Sequence, residues 1–180
     1  MKDQSPNKTP NPQVSHLRVY PIKSLDSVNA EAFEVGIRSL KQDRMFAMID
    51  EDGRYINGKR TGRVNQLKAE YDLSNHLVYL SERSQNESGQ AFELREGNDH
   101  LNEYISDFFQ IKSSLIYNDK GAFMDIPGAS SVTVVSEASL RSLQKDFPGH
   151  SLEDLRLRFR TNIELSGVEA FWEEQLFQSP

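Results

Sequence analysis

The sequence predicts a mainly β protein of the α+β class, a β-barrel or sandwich with two or three peripheral helices. Short apolar segments separated by turn residues follow one another from Val14 to Leu94, which is typical of antiparallel strands. Two later segments instead repeat their apolar residues with the spacing of a helix. The helices are therefore expected to pack on a structure that is built mainly from strands.

Residues 1–12 are expected to form a flexible tail outside the fold. They contain three of the seven prolines and no large apolar residue beyond Met1. Such a segment buries too little apolar surface to offset the entropy lost on ordering. The predicted fold therefore begins at residue 13.

The predicted strands come from the segments after the tail. In chain order they are VSHLRVY, VNAEAFEV, MFAMID, RYI, QLKAEYDL, HLVYLSE and AFEL. Turn residues separate several of them, with Asp52 and Gly53 before RYI and Ser74 and Asn75 before HLVYLSE. Glycine, asparagine and aspartate are favoured in tight turns because they tolerate left-handed backbone conformations. An antiparallel arrangement follows from these short connections.

The first predicted helix has one apolar stripe. Its members lie at i, i+3, i+4, i+7 and i+8, and they are Leu101, Tyr104, Ile105, Phe108 and Phe109. Residues with this spacing share one face of a helix. That face is expected to pack on the strands.

A second predicted helix begins after Ser136. Serine is a favoured N-cap, and Glu137 suits the positive end of the helix dipole. Leu140, Leu143 and Phe147 are expected to form its buried face. Since the order strand, helix, strand marks a change of architecture near residue 128, residues 13–127 are expected to form one domain and residues 128–180 the beginning of another.

The last predicted strand covers residues 157–165, where apolar and polar residues alternate. The apolar set is Leu157, Phe159, Thr161, Ile163 and Leu165. Arg160 and Asn162 belong to the polar set, two residues apart, so they would point the same way about 7 Å apart. The pattern predicts that these two side chains jointly hold a polar ligand.

Composition excludes several classes of function. The net charge of −6 and the pI of 5.3 make nucleic acid an unexpected partner. No apolar run reaches 18 residues and no secretory signal pattern begins the chain, so no membrane association and a cytoplasmic location are expected. The 180 residues contain no cysteine, which excludes disulfides and thiolate ligands within them. The four histidines are widely spread, and no metal ligand is assigned.

Three short motifs have ordinary structural interpretations. Gly53, Gly58 and Lys59 nearly match a phosphate-binding P-loop, but Arg60 stands where the motif needs Ser or Thr for magnesium. Asp43 and Arg44 precede the strand MFAMID, where a surface ion pair would be expected to contribute little. Lys23 and Ser24 follow a strand that ends at proline, in a loop of the kind that carries ligand sites but also solvated charges.

Four segments together resemble the MOSC family of molybdenum-cofactor proteins. They are YPIKS at 20–24, GIRSLKQDRMFAMIDEDGRYINGKR at 36–60, VVSEASLRSL at 134–143 and RFRTNIELSG at 158–167. In this order they resemble the MOSC N-terminal β-barrel followed by the start of the MOSC domain. The resemblance runs from about Val14 to Phe177. Within the family, the chain resembles bacterial relatives of the molybdenum cofactor sulfurase C-terminal domain and of the mitochondrial amidoxime-reducing component.

The resemblance implies a molybdopterin cofactor and a set of residues that bind it. By matching motif positions, the phosphate and pterin contacts are Lys23, Ser24, Arg44, Ser130, Arg160 and Asn162. It further implies association with molybdenum ion or pyridoxal phosphate, and a redox partner protein. A phosphate dianion needs charge-assisted donors of the kind that Arg and Lys supply.

Two departures from the family pattern bear on the reaction. Thr161 stands where the family motif FRPN has proline, which restores a backbone donor. The metal-ligating cysteine, which the family carries further along, is not among these residues. If the complete protein carries it, the resemblance implies an oxidoreductase or a sulfurtransferase. The alternatives are a non-catalytic module that binds anions or pterins, and an interaction domain with Trp172 and Phe177 on its surface.

Overall fold

The computed structural model describes residues 11–85, 88–125 and 132–177. These residues divide into two compact units. The larger unit comprises residues 18–125, apart from the gap at 86–87, and the smaller comprises residues 11–17 and 132–177. The two-domain division expected from the sequence, with its boundary at residues 127 and 128, stays a prediction.

The larger unit is built mainly from two antiparallel sheets. One is a meander of β4 (Leu67–Asp72), β5 (Leu77–Glu82) and β6 (Gln90–Glu93). The other pairs β3 (Phe46–Asp50) with β7 (Ser113–Tyr117). In addition, the end of β1 (Gln13–Val19) pairs with the two-residue strand β2 (Val28–Asn29) through Arg18 and Val19.

The predicted helix α1 (Asp99–Phe109) is confirmed, and it lies between β6 and β7 in the chain. Asn98 caps its first turn by accepting from the Leu101 amide, and Gln110 ends it in the left-handed conformation. Leu101, Ile105 and Phe109 are buried, as the apolar stripe predicts. The core that they join also contains Ile22, Leu25, Met48, Ile56, Val64, Leu67, Val78, Leu80, Phe92 and Leu115.

The α+β class is confirmed, whereas a closed barrel is not found in the strand pairings of the described residues. The predicted strand VNAEAFEV contributes the two-residue strand Val28–Asn29 and a single bridge between Val35 and Leu40, and Val35 is exposed. The predicted strand RYI contributes a single bridge between Tyr55 and Ile49. A short 3-10 helix, Gly62–Gln66, precedes β4.

The smaller unit contains a strand, a pair of helices and a returning strand. These are β8 (Val134–Ser136), α2 (Glu137–Asp146), α3 (Leu152–Phe159) and β9 (Ile163–Ser166). Strands β8 and β9 are parallel, and β9 also pairs antiparallel with β1 from Gln13 to Leu17. Val135, Leu140 and Leu155 form the core. A second 3-10 helix, Trp172–Phe177, follows.

The predicted start of α2 is confirmed, since the Ser136 side chain accepts from the Ser139 amide. Its predicted buried face is only partly correct. Leu140 is buried and Leu143 packs against the same core, but Phe147 lies at the C-cap with about half of its surface exposed. The helix has already ended there, so the helical spacing no longer directs Phe147 inward.

The strand predicted over residues 157–165 is wrong in its first half. Residues Leu152–Phe159 form α3, whose start is fixed by a capping box between Ser151 and Asp154. Leu157 and Phe159, which the alternation assigned to the core, are about half exposed. The apolar residue of α3 that is buried is Leu155. Arg160 and Asn162 therefore do not share the face of a strand, because strand geometry begins only at Ile163.

Within the described ranges, no helix is both long and apolar enough to cross a membrane.

Candidate functional site

Three segments of the larger unit meet at one backbone junction. Ile22 forms a parallel bridge with Phe46, and the Lys23 amide donates to the Phe46 carbonyl at 2.8 Å. The Arg44 amide donates to the Tyr20 carbonyl at 2.7 Å, and the Phe123 amide donates to the Arg44 carbonyl at 2.8 Å. Hydrogen bonding therefore brings the predicted site residues Lys23 and Arg44 into one region, together with a segment that sequence reasoning did not assign to the site.

Lys23 is a buried cation at this junction. Its side chain is 9% exposed. The ammonium donates to the Phe123 carbonyl at 3.0 Å and to Asp125 Oδ1 at 2.5 Å. It also lies 4.8 Å from the centroid of the Tyr55 ring, within the range of a cation–π contact. A lysine so far removed from water depends on these partners, because desolvation penalises its charge.

A second lysine holds the other oxygen of the same carboxylate. Lys59 Nζ lies 2.6 Å from Asp125 Oδ2. The two lysines differ in environment, since the Lys59 side chain is 77% exposed and that of Lys23 is 9% exposed. The Asp125 side chain between them is 46% exposed. Hydrogen bonds from Lys23 and then Lys59 lower the pKa of Asp125 to about 2. Lys23, Asp125 and Lys59 together form an ion-pair network, called the Asp125 bridge below, in which two cations share one carboxylate of the chain.

Sequence reasoning missed two members of this bridge. Lys59 was noticed only as part of the near-match to a P-loop, and Asp125 was not singled out. The one sequence signal was the position of Lys59 in the INGKR stretch that resembles the family. Asp125 gives no such signal, because it lies 102 residues from Lys23 and 66 from Lys59.

The bridge predicts a loss of stability in acid. The pKa of Asp125 is depressed in the folded protein, so its contribution is present above its ordinary value of 3.8 and is lost as the pH falls towards 2. Discounted for its partial exposure, the contribution is about 1 kcal/mol near neutral pH. Urea denaturation of wild type and Asp125→Asn should show that difference at about pH 6 and little difference near pH 2. A constant difference over that range would contradict this assignment.

Arg44 is held close to the backbone junction by its neighbours. Its guanidinium pairs with the Asp43 carboxylate and lies 4.9 Å from the centroid of the Tyr20 ring. Asp43 is fully buried, and its Oδ1 accepts from the Tyr20 amide at 2.9 Å. The prediction of an ordinary surface pair is therefore wrong, since this pair is structural. Ser24 follows Lys23 and has a left-handed backbone, with φ of 72°.

Arg160 and Asn162 lie in the smaller unit, where Asn162 has a structural role. Asn162 Oδ1 accepts from both the amide and the hydroxyl of Thr133 at 3.1 Å, and the side chain is buried. Arg160 is the left-handed C-cap of α3, and its amide donates to the Arg156 carbonyl. The predicted contact Ser130 lies outside the described residues. Cofactor binding by Arg160 and Asn162 stays a prediction.

A buried carboxylate in the smaller unit was also missed. Glu164 is 3% exposed, and both of its oxygens accept from Arg156 at 2.8 Å. Glu164 raises the pKa of Arg156 above its ordinary value, chiefly through these hydrogen bonds. His16 Nδ1 lies 3.5 Å from Glu164 Oε2. This fork ties α3 to β9, and its geometry is that of a structural ion pair.

No group of three or more histidines and carboxylates suited to a metal ion occurs in the part of the chain that the structure describes.

Comparisons with known proteins point to one family. The family model described as the MOSC N-terminal beta barrel domain matches residues 11–116. Human molybdenum cofactor sulfurase is 23% identical over 208 aligned residues, which cover 90% of this chain. The chain spans only 23% of the length of that human protein.

Proposed function

Because this chain belongs to the MOSC family, with the family's N-terminal domain over residues 11–116, we propose that it binds the molybdenum cofactor and that its larger unit holds a phosphate of that cofactor. The single observation that carries the proposal is the pair of ammonium groups, Lys23 and Lys59, that bracket one carboxylate. The similarity to molybdenum cofactor sulfurase supports the choice of cofactor.

The residues present fit a phosphate group. Asp125 is a stand-in anion, and each of its oxygens is held by a different ammonium at 2.5 or 2.6 Å. A phosphate oxyanion offers acceptors of the same kind and more negative charge. Lys23 is the stronger of the two anchors, since its burial keeps water from competing for the anion. Asp125 is half exposed and lies in the connection after β7, outside any helix or strand. Its carboxylate is therefore the group that a ligand would displace from the two lysines.

The division of roles follows from the residue types in the chain. When bound, a molybdenum cofactor supplies a redox-active metal. The 180 residues contain no cysteine, so among them Lys23 and Lys59 would hold the phosphate and no residue would ligate the metal through a thiolate. The buried Lys23 would bind the anion on the side that faces the protein, and the exposed Lys59 would bind it on the side that faces solvent. For the whole protein, oxidoreductase or sulfurtransferase chemistry is the proposed reaction class.

A non-catalytic anion-binding module is the second candidate. The observation that favours it is the lysine pair itself, because two ammonium groups can hold an anion without any metal. The two candidates share phosphate binding and differ in the metal. Protein purified from cells that make the cofactor would contain molybdenum and a pterin in the first case. In the second case it would contain neither, yet bind phosphorylated ligands. Pyridoxal phosphate is one such ligand and stays an expectation.

Phosphate binding is tested by removing the Asp125 carboxylate, which competes with a ligand for the two lysines. Asp125→Asn keeps the shape of the side chain and removes its charge, so inorganic pyrophosphate should bind about tenfold more tightly than to wild type, measured by isothermal titration calorimetry. That change corresponds to about 1.4 kcal/mol. Circular dichroism would check that Asp125→Asn keeps the fold of the wild type, so that a change in affinity reflects the lost charge.

Asp119→Asn is the matched control. It removes one negative charge from the same connection after β7, and Asp119 is exposed. Equal gains in the two variants would reduce the effect to net charge. No pyrophosphate binding by wild type or Asp125→Asn would refute the phosphate site.

A further inference from the structure

A cleft of 620 Å³ opens in the larger unit beside the predicted site. None of Lys23, Arg44, Lys59 and Asp125 lines it. Its walls come from the 36–46 segment, the start of β3 and the end of β7, and the connections that flank β5 and β6. The volume is in the range of clefts that hold small organic molecules. The ends of two separate sheets therefore frame a cleft that the phosphate proposal does not use.

The floor of the cleft is apolar and partly aromatic. Met45, Phe46, Leu94 and Tyr117 contribute to it. The rings of Phe46 and Tyr117 are in contact, with centroids 4.9 Å apart. Phe46 is half-buried and packs on the core, while 42% of Tyr117 is exposed. A partly exposed ring that is fixed by a second ring offers a rigid face on which a planar ligand can stack.

Two of the cations at the rim, Lys41 and Arg95, are in ion pairs with nearby glutamates. Lys41 Nζ lies 2.6 Å from Glu34 Oε1, and Arg95 Nε lies 2.7 Å from Glu93 Oε2. Both pairs are exposed, so they weaken the local field without adding much stability. Neither cation is therefore available as a full charge for an anionic ligand.

The remaining charged side chains at the rim sum to a net charge of −1. Lys120 is cationic, while Glu96 and Asp119 are acidic. Ser39 and Gln42 add polar side chains without charge. A ligand that carries a net charge would gain little from this rim, whereas a neutral molecule with hydrogen-bonding edges is matched by it.

We propose that this cleft binds a small, uncharged, planar heteroaromatic molecule, stacked on Tyr117 and hydrogen bonded at its edges. The apolar floor selects against strongly hydrated ligands, because they lose water contacts that the floor does not replace. The flat ring of Tyr117 favours a planar ligand over a saturated one of the same size. Carboxylates and amines are disfavoured because the rim, with its paired cations and a residual charge of only −1, returns too little charge interaction to offset their desolvation.

The proposal is tested with indole as the probe. Titration of the isotope-labelled chain should give saturable shifts of amide signals in residues 39–46 and 117–121, measured by heteronuclear NMR. Benzoate, benzylamine and cyclohexanol, which are anionic, cationic and non-planar, should each bind at least tenfold more weakly than indole. Tyr117→Leu keeps an apolar side chain against Phe46 and should weaken indole binding about tenfold.

Tyr79→Leu serves as the matched control because Tyr79 lies in β5 and does not line the cleft. It should leave the affinity for indole unchanged. Thermal denaturation would show that both variants fold. Absence of saturable indole binding, shifts that map elsewhere, or equal affinity for benzoate or cyclohexanol would overturn the proposal. Equal indole affinity in wild type and Tyr117→Leu would also overturn it.

Discussion

Lys23→Met should lower the affinity for inorganic pyrophosphate by at least tenfold. Methionine keeps the length of the side chain beside Tyr55 and removes the ammonium. The lost interaction is a charge-assisted hydrogen bond at a side chain that is 9% exposed, and such bonds contribute about 1.5 to 3 kcal/mol. Isothermal titration calorimetry with wild type and variant measures the change directly.

The matched control for this prediction is Lys59→Met. Both substitutions remove one positive charge from the same Asp125 bridge, but the Lys59 side chain is 77% exposed. Solvent and salt screen an exposed charge, so we expect the affinity to fall only about threefold. Equal losses in the two variants would mean that net charge, not the buried ammonium, governs binding.

The double variant that combines Asp125→Asn with Lys23→Met provides a further check. If Asp125 competes with the ligand for Lys23, the gain from Asp125→Asn should disappear when Lys23→Met is also present. Lys23 and Asp125 take part in the same ion pair, so the effects of the two substitutions on the affinity are expected to be non-additive. Additive effects would contradict direct competition at the Lys23 ammonium.

Glu164→Gln should lower the free energy of unfolding by about 3 kcal/mol. Glu164 is 3% exposed and accepts two hydrogen bonds from Arg156, whose side chain is 14% exposed. The neutral amide leaves the guanidinium partly buried without its counter-charge, and one of its donors faces an amide nitrogen. Urea denaturation followed by circular dichroism measures the change.

Glu153→Gln is the control because Glu153 contacts the same arginine. Its carboxylate lies 3.3 Å from Arg156 Nη1, but the side chain is 52% exposed. An exposed pair contributes less than about 1 kcal/mol, so this substitution should be nearly neutral. Similar losses for Glu153→Gln and Glu164→Gln would show that burial does not set the strength of this ion pair.

Local patterns were sufficient where neighbours in the chain decide the structure. The apolar stripe from Leu101 to Phe109 identifies α1, and Ser136 with Glu137 identifies the start of α2. A helix repeats its contacts every three or four residues, so a short window contains the evidence for it. The α+β class follows from adding these helices to the short strands.

The prediction from local patterns was wrong where a strand-like alternation of apolar residues overlaps a helix. From Leu157 to Leu165 the apolar residues alternate, but the capping box at Ser151 and Asp154 starts a helix six residues earlier. Leu152 and Leu155 then pack with Val135 and Leu140, and that burial outweighs the alternation. Arg160 consequently ends a helix, where the pattern had assigned it to a strand.

The sequence by itself determined the α+β class, the helix α1 and the start of α2, while the assignment of Lys23 and Arg44 to one binding site stays a prediction from the family resemblance. Only the tertiary structure decided that Lys23 shares Asp125 with Lys59, that Asp43 is buried, and that Asn162 holds Thr133. The reason is physical. Helical and turn preferences act over a few residues, whereas hydrogen bonds across 66 or 102 positions exist only once the chain has folded.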